Sequence, residues 1–189
     1  MNKLIQRRGF KYLASFFILF FILTSMTVRP IMTNMLGEEI LIKIKPLDPR
    51  DLFRGDYVQL NYEINDIDSE KLDKEILKLK GENEYYPFEA LKENKLYVSL
   101  KKNVKSYEVD KVTLKKPKEG VFLKGKYEYS LWHNNKKDKL DGIRVKYTLD
   151  KYFVPENTGE ELEEKARKGE VFAKIKVYKG YSYLKEIVD

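Results

Sequence analysis

The stretch "PLDPRDLFRGDYVQLNY" (Pro46–Tyr62) sets Asp48, Arg50, Asp51, Arg54 and Asp56 close together, with Tyr57 next. Three carboxylates beside two guanidiniums have two chemical uses. They grip a polar ligand or a partner's charges, or they bond to one another and to nearby amides and so fix their own loop. The turn reading is the cheaper one. Asp48 suits a helix N-cap, Pro49 the first helical position and Gly55 a left-handed stop, so "DPRDLFRG" reads as one helical turn. Asp56 bonds local amides in that reading. Turn geometry asks for no arginine at position 50 or 54, so any functional contact of this loop rests on those two.

Other chemistry is thinner. The chain has no cysteine and one histidine, His133. Thiolate zinc sites, cysteine nucleophiles, disulfides and multi-histidine metal sites are excluded. His133 follows Trp132 in a run of Asn and Lys that reads as a turn, where a lone imidazole has no assigned partner. Glu156, Glu160, Glu161, Glu163 and Glu164 form an acidic run. Capping by Thr158 with Glu161, and four-apart pairs with Lys165 and Lys168, explain it as a helix closed by Gly169. No catalytic set, metal site or cofactor is expected.

The elements around these residues begin with "YLASFFILFFILTSMTV" (Tyr12–Val28), 17 residues without a charge. Apolar residues continue past Arg29 to Leu36, so residues 12–36 are assigned as a membrane anchor lying in the lipid bilayer. Residues 1–11 form a basic tail, and positive-inside bias places it in the cytoplasm and residues 37–189 outside the cytoplasmic membrane. "LTSMTVRP" lacks a small-x-small cleavage pattern, so an uncleaved anchor is preferred to a signal peptide.

The net charge of +7 belongs mostly to the anchor. Removing the five basic residues of 1–29 leaves 32 basic against 30 acidic residues in 30–189. A surface so evenly mixed does not track phosphate backbones, and nucleic-acid binding is excluded.

Beyond the anchor the pattern is that of strands. "EEILIKIKPL" alternates around Ile40, Ile42 and Ile44. Tyr57–Ile64 alternates with Val58, Leu60, Tyr62 and Ile64 on one face, which puts Tyr57 and Tyr62 on opposite sides. "KLYVSLKK", "SYEVDKVTL", "GVFLKGKYEYSLW", "LDGIRVKYTLDKYFV", "EVFAKIKVY" and "YSYLKEIV" continue it, the last two joined at Lys179–Gly180. His133–Gly142 reads as a loop. Residues 67–94 break the rhythm and are expected as a charged surface excursion. Leu72, Ile76 and Leu79 there suggest a short amphipathic helix, with Gly81 after it. The fold class is mostly β, a barrel or sandwich-like exterior domain with one or two short helices behind a single N-terminal transmembrane helix.

Gly55-Asp56-Tyr57-x-x-Leu60-x-Tyr62 fills every fixed position of a Gly-Asp-Tyr-x-x-Leu-x-Tyr motif. With "PLDPRDLFR", "KPKEGVFLKGKY" and "KYFVPENTGEELEEKA", the chain resembles the GDYXXLXY family over roughly residues 38–188. The resemblance implies a bacterial protein with an N-terminal membrane segment, associated with multi-pass membrane proteins. It carries no established activity. The expected function is therefore non-enzymatic: an accessory or assembly subunit of a membrane protein complex, with a multi-pass partner. The alternative is a binding module for cell-envelope carbohydrate or a small ligand, because 13 of 14 tyrosines and the single tryptophan lie outside the anchor. A third is a degenerate signal-peptidase-like fold. Signal peptidases share an Arg-Gly-Asp strand start, but Arg29–Asp48 holds no serine and one hydroxyl, Thr33.

Overall fold

An uncharged run can satisfy its backbone in an apolar medium only by bonding to itself, and it does so as a helix. In the computed structural model α1 spans Asn2–Leu36. The structure describes residues 2–45, 57–81, 88–132, 140–149, 151–153 and 171–188. Phe10–Leu36 is long and apolar enough to cross a membrane, and none of its most apolar window is buried by the rest of the chain. Three of its hydroxyls bond to carbonyls of the preceding turn. Thr24 donates to the Phe20 carbonyl (2.8 Å), Ser25 to Ile22 (2.7 Å) and Thr27 to Leu23 (3.1 Å). The expected anchor thus forms a continuous helix rather than a core element.

The remainder is a mostly β domain whose strands make a nearly closed, barrel-like sheet. The strands are β1 (Glu38–Lys43), β2 (Tyr57–Gln59), β3 (Asp66–Asp68), β4 (Lys95–Lys102) and β5 (Tyr107–Thr113). They continue with β6 (Val121–Trp132), β7 (Leu140–Tyr147), β8 (Lys151–Phe153), β9 (Phe172–Tyr178) and β10 (Tyr181–Val188). They pair in the orders β1-β9-β10, β2-β8 and β3-β7-β6-β4-β5. Single links join β1 to the end of the motif and draw the two edges of the five-stranded sheet together. Ile44 bridges Tyr62, Lys45 N–H donates to the Asn61 carbonyl (2.7 Å), and Leu72 bridges Val112.

Alternation decides which side chains enter the core. Ile40 and Ile42 sit opposite Ile175 and Ala173 of β9, and these four, with Ile44 and Val177, are buried. Leu96 and Val98 of β4, Leu123 of β6, and Ile143 and Val145 of β7 complete the same cluster. Each such side chain contributes about 1.5–3 kcal/mol over its exposed state. Lys179 (φ 49°) and Gly180 (φ 80°) make the two-residue turn between β9 and β10. Positive φ at both positions matches the strand twist, as a type I′ hairpin requires.

Three expectations change in detail. The strand read over Tyr57–Ile64 is only Tyr57–Gln59, because Glu63–Asn65 closes into a 3₁₀ turn. Asn65 drives this: its Oδ1 accepts from Tyr62 N–H (2.6 Å) and its own N–H donates to the Tyr62 carbonyl (3.1 Å). Leu60, Tyr62 and Ile64 are nevertheless all buried. The 67–94 segment, expected over the surface, gives Ile67, Leu72, Ile76, Phe88 and Leu91 to the core. Ile67 sits on β3, paired with β7. Leu72 follows the 3₁₀ turn Ser69–Lys71, Ile76 sits on the one-turn helix α2 (Lys74–Lys78), and Phe88 precedes and Leu91 ends the 3₁₀ turn Glu89–Leu91. Such turns have no periodicity to read. Finally, the loop read over His133–Gly142 ends early, because β7 already runs from Leu140, opposite Trp132. The helix expected over 158–169 lies outside the described residues.

Candidate functional site

The motif divides into a part outside the described residues and a part in the core. Asp48, Arg50, Asp51, Arg54 and Asp56 fall outside the described residues, as do His133 and the Glu156–Glu164 run. Tyr57 opens β2, opposite Phe153 of β8. Leu60 and Tyr62 are buried.

Tyr62 is fully enclosed, and a phenol there needs a partner for its hydroxyl. Its OH donates to the Leu149 carbonyl (2.7 Å). Asn65 Nδ2 donates to the Val145 carbonyl (2.8 Å), and Tyr147 OH donates to the Ile64 carbonyl (2.8 Å). Three side chains therefore tie the end of the motif to β7 and its following turn. The second half of the motif works as an internal clamp.

A charged layer covers that clamp. Asp66 accepts from Lys45 Nζ and from Arg144 Nη1, each at 2.7 Å. Arg144 Nη2 donates to Asn61 Oδ1 (2.5 Å), Arg144 Nε lies 3.3 Å from Glu128, and the guanidinium stands 5.8 Å from the Tyr129 ring centre. Burial alone would push the Asp66 carboxyl up, but hydrogen bonds from Lys45 and Arg144 outweigh it and hold the carboxyl below its ordinary range. This carboxylate is committed to its cations. As an acid or base it has nothing to exchange at neutral pH. As a brace it joins residue 45 just after β1, the motif end, β3 and β7.

A second polar cluster sits where α1 meets the domain. One residue, Gly37, separates Leu36 of α1 from Glu38 of β1. Thr33 is fully buried. Its hydroxyl donates to the Arg29 carbonyl (2.9 Å), and its carbonyl accepts from Gly37 N–H (2.9 Å). A Cβ on Gly37 would stand 2.2 Å from that carbonyl oxygen. Asn34 is held from two strands: its carbonyl accepts from Lys176 Nζ (2.5 Å) and its Oδ1 from Tyr183 OH (2.9 Å). Glu39 pairs with Lys185 (2.7 Å) and Lys176 (3.7 Å). Glu38 accepts from Tyr107 OH (2.6 Å), and that bond, with burial, pushes the phenol up to about 12. Beside this junction lies an open hollow of about 180 Å³, bordered by Leu36, Glu38, Phe122, Tyr178, Lys179 and Gly180.

Sequence reasoning missed the junction. Its signal was available in "MLGEEILIK", which leaves no linker between the apolar run and the first strand. Thr33, the one hydroxyl between Arg29 and Asp48, is spent inside the helix. Among the described residues no group of three or more His, Asp or Glu side chains could hold a metal ion.

The family profile described as "GDYXXLXY protein" matches residues 19–187, which include both the clamp and the junction. The chain belongs to the GDYXXLXY family. No curated protein and no solved structure matches it. Among the described motif residues of this GDYXXLXY protein, Leu60 and Tyr62 are core, and the motif's end is bolted to β7. The clamp gives a physical reason for the Leu-x-Tyr half of the motif: Leu60 fills the core, and Tyr62 adds a hydroxyl that reaches a carbonyl 87 residues away.

Proposed function

We propose that this GDYXXLXY protein is a single-pass protein of the cytoplasmic membrane, with its N-terminus inside and residues 37–189 outside. Its β-domain serves as a non-catalytic accessory or assembly subunit of a membrane protein complex. The observation that carries this reading is the junction. With one residue between α1 and β1, and Asn34 held by Lys176 and Tyr183, the domain is mounted on its helix without a swivel. A rigid mount suits a subunit that contacts one partner at two levels, within the bilayer and above it. The apolar sides of α1, including Phe16, Phe17, Phe20 and Phe21, are uncovered by the chain itself. They offer packing surface to a partner's helices, where close van der Waals fit drives association.

The alternative, stacking on envelope carbohydrate, asks for tyrosines gathered on one concave face. Tyr62, Tyr127 and Tyr147 are buried, while Tyr97, Tyr107, Tyr129, Tyr178 and Tyr183 lie on five different strands. That distribution favours the subunit reading. Extraction from native membranes in mild detergent, with the protein mass read by light scattering, separates the two. A discrete complex containing a second membrane protein in fixed ratio is expected. Recovery of the 22.5-kDa chain alone contradicts the proposal.

A further inference from the structure

Most lysines near β1, β9 and β10 have acidic partners. Lys174 pairs with Glu186, Lys176 and Lys185 with Glu39, and Lys43 with Glu63. The outward face of β4, β6 and β7 is different. The register sets Lys126 of β6 directly opposite Lys95 of β4 on one side and Lys146 of β7 on the other. All three are exposed. Like charges placed directly opposite destabilise a sheet. Lys124, two residues along β6, joins the row, and Lys116 stands 5.9 Å from the Phe122 ring centre. Burial lowers the Lys124 ammonium's proton affinity, and the positive charges of Arg29, Lys116 and Lys95 lower it further. None of these six cations forms an ion pair among the described residues.

Leu36, the last residue of α1, and Phe122, two residues before Lys124 on β6, border the same hollow, and a Cβ on Gly180 would stand 3.0 Å from the Lys124 side chain. Arg29 of α1 is among the positive charges that act on Lys124. The basic face therefore adjoins the helix where it leaves its most apolar stretch. We propose that this face rests on the anionic phosphates of lipid headgroups in the bilayer that α1 crosses. The proposal depends on the membrane-anchor reading. Lipid phosphates are abundant at that depth, need no shaped pocket, and neutralise a row of ammonium groups that the domain itself leaves facing one another.

The chain contains no cysteine, so a single Ser99→Cys carries a fluorophore cleanly. Ser99 lies on β4 opposite Phe122, beside the basic face. The full chain is reconstituted in vesicles of phosphatidylcholine, with or without phosphatidylglycerol, containing a headgroup-bound nitroxide quencher. Vesicle flotation is scored first. A chain that does not float with the vesicles removes the anchor reading, and this proposal with it. For a chain that floats, quenching is expected to be stronger with phosphatidylglycerol. It should fall to the neutral-lipid level at roughly 1 M salt, where screening acts over about 3 Å. Lys126→Glu should weaken the lipid dependence and raise the melting temperature, because it turns two repulsive cross-strand pairs into attractive ones. Equal quenching in both lipids, or a lipid dependence unchanged by Lys126→Glu, overturns the proposal. Equal quenching would point instead to an acidic protein surface as the occupant.

Discussion

Tyr62 and Asn65 turn a sequence motif into tertiary structure. Tyr62→Phe keeps the ring and removes only the hydroxyl, leaving the Leu149 carbonyl buried without that donor. The expected loss is about 1–2 kcal/mol in denaturant unfolding. Asn65→Ala removes the acceptor for Tyr62 N–H and the donor to Val145, so it should cost more than Tyr62→Phe. Equal stability of both variants and the parent would dismiss the clamp. Asp66 adds a pH signature. Its carboxyl is depressed in the folded state, so its stabilisation is fully present above 3.8, the ordinary value, and is lost as pH falls through the lower folded value. Parent and Asp66→Asn should differ in melting temperature at neutral pH and converge in acid. A difference that persists unchanged into acid would contradict the brace. Alternation put Tyr62 on one face with Leu60 and Ile64, and all three are buried. The partner of Tyr62, Leu149, was not legible, because nothing local in the sequence marks a contact between residues so far apart.

At the scale of elements, the strands from β1 onward were readable wherever apolar and polar residues alternate, as at Ile40, Ile42 and Ile44. The β9–β10 turn was readable from Lys179–Gly180. What escaped was core delivered without period. Phe88 and Leu91 arrive at a 3₁₀ turn among charged neighbours that resemble a surface, whereas Ile76, read on the apolar side of a short helix, does arrive on one. The charged loop Asp48–Asp56 lies outside the described residues, so the roles of Arg50 and Arg54 stay as the sequence leaves them. Two glycines carry element-level predictions. Gly180 combines φ +80° with a Phe122 ring carbon 2.4 Å from any added Cβ. Gly180→Ala should therefore cost more than the roughly 1 kcal/mol of left-handed strain alone, read as a drop in melting temperature. No drop would refute the tight turn. At Gly37 an added Cβ meets backbone rather than a movable side chain, so Gly37→Val should shift the junction, at about 1–3 kcal/mol. Full thermal stability of that variant would show that the junction is looser than its geometry indicates.

For the whole molecule, a helix long enough to cross a bilayer leads directly into a barrel-like sheet. The proposed orientation rests on the basic residues before the apolar run. A reporter active only in the cytoplasm, fused after Asp189, should be silent, and strong activity would reverse the assigned orientation. The proposed role has the domain serve its complex through a rigid mount. Lengthening the junction tests it most directly, by inserting a short Gly/Ser segment after Gly37 and measuring two quantities on the extracted protein. These are the mass of the complex in mild detergent and the melting temperature of the β-domain. A flexible segment lets the helix and domain move independently while leaving the strands and the clamp in place. The complex is expected to fall apart while the domain melts near its original temperature. A complex of unchanged mass and composition would contradict the proposed role.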